Sequence, residues 1–253
     1  MKYNNPILRI INYFFYKPFK RLVNHFGYEV QVIPKGLSYF DPKIEVSAAK
    51  EKNMSLCEYL ETFNKGGVGK RRDFIISKIN YFLPAKFEKI LEIGAGTGMY
   101  LEKILEIYKP IQYEVYETNI GWTKYLKEEY GSRTNLICYN ADGKTLKDTE
   151  SNSVDIVFCH AVFVYISIVT IYSYFEDMVR VCKPGGYIIF DCFTSKNFEI
   201  DILKNWLKAG VFFPVVIADY TLEEWILKAK LVLHHKFNAN YHESYTTYFI
   251  LQK

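Results

Sequence analysis

The stretch Lys89-Ile90-Leu91-Glu92-Ile93-Gly94-Ala95-Gly96-Thr97-Gly98-Met99-Tyr100-Leu101 constrains this chain more than any other. Apolar Ile90, Leu91 and Ile93 read as a short strand, Gly94, Gly96 and Gly98 as a tight turn, and the residues after them as the start of a helix. Glycines let backbone N–H groups come close to a ligand, and the helix N-terminus adds a fixed positive dipole. The turn is built to cradle a nucleotide. The dinucleotide fingerprint G-x-G-x-x-G/A needs Gly or Ala at position 99, where this chain has Met99. An acid, Glu92, also stands two residues before the first glycine, a place where that fingerprint seldom has one.

From Lys89 onward strands and helices alternate, which predicts a parallel sheet covered by helices on both faces. The second strand is Gln112–Glu117, and its acidic last residue stands where a carboxylate can accept both hydroxyls of a ribose. A helix over Ile120–Tyr130 leads to strand three, Asn135–Tyr139, and then to the turn Asn140-Ala141-Asp142-Gly143. Strand four, Val154–His160, is nearly all apolar, as a central parallel strand should be, and ends in His160 at the edge where open α/β sheets bind ligands. A helix over Val169–Val181 stops at Lys183-Pro184-Gly185-Gly186, a helix-to-strand turn before strand five, Tyr187–Asp191. A helix near Asp201–Ala209, a helix over Leu222–Lys230 capped by Thr221, strand six over Leu231–Phe237 and a closing strand over Thr246–Leu251 complete the pattern.

The string E-x-G-x-G-x-G, followed in order by Glu117, Asp142 and the Lys-Pro-Gly-Gly turn, resembles class I S-adenosylmethionine-dependent methyltransferases over about residues 88–251. The resemblance implies a Rossmann-like, doubly wound seven-stranded sheet whose closing strand runs antiparallel between strands five and six. It implies that Glu92 serves the amino acid end of the cofactor and that the backbone of Gly94, Ala95, Gly96 and Gly98 cradles it. Glu117 and Thr118 would then hold the ribose, Asp142 and Gly143 would meet the adenine, and His160 would close the site. The implied reaction is in-line transfer of the sulfonium methyl to a nucleophile, leaving S-adenosylhomocysteine. The protein must align the acceptor and, for a hydroxyl, remove a proton. His160 is the first candidate base, with Asp191 and Tyr165 behind it. The Asn- or Asp-Pro-Pro-aromatic motif of amino-directed methyltransferases is absent, since the chain reads Cys159-His160-Ala161-Val162 there. The wider profile, with Trp122 and Tyr125 after strand two, is similar to methyltransferases of bacterial surface-polysaccharide gene clusters. It implies O-methylation of a sugar hydroxyl or of a phosphate or phosphoramidate group on a capsular or similar precursor. A methyltransferase of a quinone or lipid precursor, and an inactive cofactor-binding scaffold, are the alternatives.

Ahead of this core, residues 1–54 read as an N-terminal extension and linker, and residues 55–253 as the catalytic domain. Residues 1–26 read as two short amphipathic helices broken by Pro18, basic and without an acidic residue. They suit packing on their own domain or a second subunit, or peripheral contact with an anionic membrane surface. Residues 28–32 alternate like a strand, and 35–54 read as a surface linker. Lys65-Gly66-Gly67-Val68-Gly69-Lys70-Arg71-Arg72 fails as a P-loop because Asn64 and Arg71 occupy positions that need Gly and Ser or Thr. It reads as a basic loop in which Lys70, Arg71 and Arg72 hold an anionic part of the acceptor.

With 253 residues, 49% of them hydrophobic, the chain can bury one large core. A net charge of +4 suits a small anionic or carbohydrate acceptor and falls short of a nucleic-acid binder. Five scattered cysteines without a C-x-x-C pair predict reduced thiols and a cytoplasmic setting, at most peripheral to the inner membrane face. No metal constellation is legible, so metal independence is expected.

Overall fold

The computed structural model describes residues 41–63, 68–209, 215–241 and 244–253. The expected helices over 1–26, the strand over 28–32, residues 35–40 of the linker, and Lys65, Gly66 and Gly67 of the basic stretch lie outside the described residues.

Three helices come first: α1 (Pro42–Glu51), α2 (Leu56–Phe63) and α3 (Val68–Phe82). Helix α1 corrects the linker expected over 35–54. Asp41 caps it by accepting from the Lys43 N–H at 2.9 Å, and Pro42 occupies the first turn, where its missing N–H costs nothing. A weak apolar stripe, with only Ala49 buried, hid it from periodicity. Helix α2 starts on a capping box, with the Ser55 hydroxyl accepting from the Glu58 N–H and Glu58 reaching back to the Ser55 N–H.

Alternation then follows: β1 (Lys89–Ile93), α4 (Met99–Tyr108), β2 (Gln112–Glu117), α5 (Ile120–Tyr130), β3 (Asn135–Asn140), β4 (Val154–Cys159), α6 (Ile168–Val181), β5 (Cys182–Cys192), α7 (Ile200–Ala209), α8 (Asp219–Lys228), β6 (Val232–Tyr241) and β7 (Ser244–Gln252). The sheet order is β3-β2-β1-β4-β5-β7-β6. Strands β1 to β5 pair in parallel, and β7 runs antiparallel to both β5 and β6. This is the inserted closing strand that the resemblance implied.

Period-two alternation divides the core into two layers. Ile90, Tyr113, Ile156, Phe158, Ile189, Tyr248 and Ile250 face α3, α4 and α5, while Leu91, Ile93, Val157, Phe190 and Phe249 face α6 and α8. Central strands are therefore apolar on both sides, which explains why their sequences run almost without polar interruption.

Several boundaries differ from expectation. Lys183-Pro184-Gly185-Gly186 does not precede β5 but bulges within it: Val154 pairs with Cys182 and Ile156 already with Tyr187. The Gly185 N–H donates to the Lys253 carbonyl at 2.7 Å and the Lys253 N–H to the Gly186 carbonyl at 3.0 Å, so the chain end ties this segment into the sheet. Strand β6 runs on to Tyr241 because Ala239 and Tyr241 still bury while the intervening polar residues face outward. Helix α8 begins at Asp219, ahead of the expected cap Thr221. Among the described residues no helix is long and apolar enough to cross a membrane.

Gly98 has φ +78°, and an added Cβ would meet Leu126 and Tyr130 at 2.8 Å. Gly185 has φ +80° with nothing within 4 Å of its added Cβ. Gly98→Ala is expected to cost about 2–4 kcal/mol, against about 1 kcal/mol for Gly185→Ala, because only the first adds a clash to backbone strain. Equal losses in paired thermal melts would refute the packing argument.

Candidate active site

The glycine turn divides its labour. Gly94 (φ +70°) lies against Val162, whose Cγ2 would be 2.5 Å from an added Cβ, and its N–H donates to the Tyr116 carbonyl at 2.8 Å. Gly98 sets the entry to α4 against α5. Gly96 (φ +51°) differs: a Cβ there would meet only the Gly94 carbonyl oxygen, at 4.0 Å. Two glycines are demanded by packing, and the third leaves open space where a ligand can reach the backbone.

Strands β1 and β2 end level, with Ile93 opposite Tyr116, so Glu117 reaches the turn. Its Oε2 accepts from the Gly96 N–H at 2.9 Å and its Oε1 from the Asn119 N–H at 2.8 Å. Thr118 follows it, and a Cβ on Gly143 would lie 3.5 Å from the Thr118 methyl, so the Asp142-Gly143 turn faces the end of β2. Asp142 itself is exposed and accepts from the Lys144 and Thr145 N–H groups and the Thr145 hydroxyl. Burial pushes its carboxyl up, but these donors outweigh burial and hold it below the usual carboxylate range. Asp142 thus organises its own turn. Glu92 is buried and accepts from the Tyr113 hydroxyl at 2.7 Å. Burial pushes its carboxyl up to about 8, with the Glu117 charge adding to the rise. Gly94, Ala95, Gly96, Gly98, Glu117, Thr118 and Gly143 therefore meet at one sheet edge, with Glu92 just beneath.

A second group gathers at the ends of β4, β5 and β7. His160 follows β4, its Nδ1 hydrogen-bonded to the Tyr248 hydroxyl and its ring 4.1 Å from the Tyr100 ring. Tyr248 also lowers the Tyr100 hydroxyl against the rise that burial causes. Burial, with the Arg71 charge nearby, holds His160 well below the usual histidine range, so the ring is neutral. Asp191 Oδ1 lies 3.8 Å from its Nδ1, and with a neutral ring this contact is not an ion pair. Asp191 is fully buried, which pushes its carboxyl up to about 6 although the Ala161 N–H donates to it at 2.7 Å and the Thr246 hydroxyl assists. Its Oδ2 has no hydrogen-bond partner. Ala161 holds φ +55° without being glycine, a strained position of the kind found at functional sites. Tyr165 and Tyr241 join through their hydroxyls at 2.6 Å.

The basic stretch is corrected in shape. The helix expected over Arg71–Phe82 begins at Val68, so Lys70 also lies on α3 and not in a loop. Arg72 is buried and committed to Glu61 at 2.6 Å and Asp73 at 2.9 Å, and Lys70 is exposed. Arg71 alone turns toward the second group, its guanidinium 5.3 Å from the Tyr241 ring centroid. Tyr100, Tyr241, Thr246 and Tyr248 escape sequence reasoning, because no local motif ties residues up to 88 positions from His160 to it. A separate cavity of about 230 Å³, lined by residues including Thr194, Asn197, Thr247 and Phe249, opens on the other face of β7 from Tyr248. Among the described residues no three His, Cys, Asp or Glu side chains converge as a metal site.

Residues 91–190 match the model of a methyltransferase domain. This is the class I methyltransferase fold. A SAM-dependent methyltransferase from Aquifex aeolicus superposes with a TM-score of 0.53 at 16% identity, covering 85% of this chain and all of that one. The chain is 27% identical over 151 residues to a malonyl-[acyl-carrier protein] O-methyltransferase of Ilyobacter polytropus, covering 59% of this chain and 56% of the relative. It is 30% identical over 120 residues to a phosphoethanolamine N-methyltransferase of Zea mays, covering 44% of this chain and 24% of the relative. The match thus spans about half or less of these curated relatives' lengths. S-adenosylmethionine is the methyl donor that domain match and fold imply. The residues fit it: Gly96 leaves the approach open, and Glu117 presents a carboxylate beside it. When bound, it supplies an electrophilic methyl on a sulfonium, with a neutral thioether as leaving group.

Glu117→Ala is expected to weaken S-adenosylmethionine binding about 10- to 100-fold by calorimetry, the loss of a bidentate carboxylate. Unchanged affinity would remove Glu117 from the cofactor site. Glu92 gives a pH signature. The unfolded carboxyl titrates near 4.5 and the folded one near 8, so its contribution to stability is complete below pH 4.5 and is lost as pH rises to 8. Glu92→Gln should flatten that decline and gain about 1–3 kcal/mol at pH 8, measured by denaturant unfolding from pH 5 to 8.

Proposed function

We propose that this chain transfers the methyl of S-adenosylmethionine to an oxygen atom of a small acceptor bound beside His160. Half-buried His160, held at the end of β4 by Tyr248 and beside Asp191, is the observation that carries the reading. With Nδ1–H donated to the Tyr248 oxygen, Nε2 is left to accept the acceptor's hydroxyl proton while the S–CH₃ bond breaks and the O–CH₃ bond forms. Asp191 positions the turn through the Ala161 N–H, and Tyr165 borders the acceptor through Tyr241.

Oxygen is preferred to nitrogen on electrostatic grounds. The fixed charge of Arg71 stands over Tyr241 and disfavours an ammonium acceptor. A sugar hydroxyl, or a phosphate or phosphoramidate group, of a capsular or other surface-polysaccharide precursor is one acceptor of this kind. The curated relatives are named for other acceptors, so they support the reaction and not this substrate.

The test is incubation with S-adenosylmethionine and a panel of phosphorylated sugars, sugar nucleotides, carboxylate monoesters, quinols and phosphoethanolamine, with products read by mass spectrometry. Methyl on oxygen is expected. His160→Gln should lower kcat on a hydroxyl acceptor about 10²- to 10⁴-fold with cofactor affinity little changed. Methylation only at nitrogen, or cofactor binding without turnover of any acceptor, would overturn the proposal.

A further inference from the structure

We infer that Arg71 is the anion receptor of the acceptor site, and that the acceptor carries a carboxylate or phosphate oxyanion which Arg71 clamps while a neighbouring hydroxyl is presented to His160. The inference rests on the transferase reading above and narrows its substrate class.

Arg71 and Arg72 are adjacent in α3 and meet opposite fates. Arg72 is neutralised by Glu61 and Asp73. Each keeps one buried N–H without a hydrogen-bond partner, Nε of Arg71 and Nη1 of Arg72, but among the described residues no ion pair satisfies Arg71. A buried guanidinium N–H left unbonded costs free energy, and such groups are rare unless something outside the chain meets them. Its surroundings are polar aromatics: Tyr241 beneath it, and through Tyr241 the hydroxyl of Tyr165. Its charge also reaches His160, Asp191, Tyr100 and Tyr248. The guanidinium therefore stands beside the catalytic edge. A planar fork of N–H donors matches a carboxylate or a phosphate two bonds at a time, which a lysine cannot copy. A cation–π contact with Tyr241 helps to place it before the anion arrives. Asp191 does not supply the missing anion, because no carboxylate oxygen of the described residues comes within ion-pair distance of Arg71, and burial raises the Asp191 carboxyl.

The experiment uses the full chain loaded with S-adenosylhomocysteine, observing arginine Nε–H NMR signals. The probes are monoethyl malonate for a carboxylate, inorganic phosphate for a phosphate, and diethyl malonate as the neutral control. The signal missing in Arg71→Gln identifies Arg71. It is expected to shift saturably with one or both anions and not with the diester, and the anion that binds tighter names the source. Arg71→Gln and Arg71→Lys should weaken that anion at least about 10-fold while S-adenosylhomocysteine affinity, which also reports folding, stays within about 2-fold. An Arg71 signal unmoved by both anions, or anion binding that survives in Arg71→Gln, would overturn the inference. Because this titration needs no turnover, its failure is separate from failure of the methyl-transfer assay.

Discussion

The hydrogen bond from the Gly96 N–H to the Glu117 carboxylate exists only because β1 and β2 run parallel and stop at the same level. That register puts a left-handed glycine turn and an acidic strand end within reach of each other. Everything else in the cofactor site is arranged around the pair. Gly94 and Gly98 are fixed by packing against Val162 and against Leu126 and Tyr130, so the turn cannot relax away from Glu117. Helix α5, which supplies Leu126 and Tyr130, buries its apolar side on the same sheet face as α4. The sheet's hydrophobic layering thus supplies the stiffness that ligand recognition needs.

Electrostatics sort the two halves of the edge. Burial pushes the Glu92 and Asp191 carboxyls upward and holds His160 in its neutral form. One mechanism, desolvation, therefore lowers the charge carried by three groups at once. On the proposed reading, the acceptor half then offers the Arg71 guanidinium, without an ion pair among the described residues, as the complement of a bound oxyanion.

Legibility followed the range of the interactions. Gly94, Gly96, Gly98, Glu92 and Glu117 are visible in sequence because a strand, a turn and a strand end are local patterns with short spacings. The sheet and its two helical layers follow from alternation in β1, β2, β4 and β5. Helix α1 was missed because its signal is a cap, Asp41 with Pro42, and not an apolar stripe. Asp142 stands at the place the motif predicts, and its oxygens also organise their own turn, which position alone did not reveal. The separate fates of Lys70, Arg71 and Arg72 depend on Glu61 and Tyr241, which no spacing rule connects to them.

The interval 91–190 that matches the methyltransferase domain contains Glu92, the glycine turn, Glu117, Asp142 and His160. Arg71, Asp191, Tyr241, Thr246 and Tyr248 all lie outside it. On the proposed reading, the boundary separates most of the donor side, on β1, β2 and the turn after β3, from the Arg71 and tyrosine part of the acceptor side, on α3, β5, β6 and β7, with His160 inside the interval. A strand pair such as β6–β7 keeps its register through Ile250, Leu251 and their partners whatever side chains stand at the open end. Residues there can change without disturbing the cofactor site. Similarity concentrated in 91–190 therefore carries the methyl donor across relatives and is silent about the acceptor, which has to be read from Arg71 and the tyrosines around it.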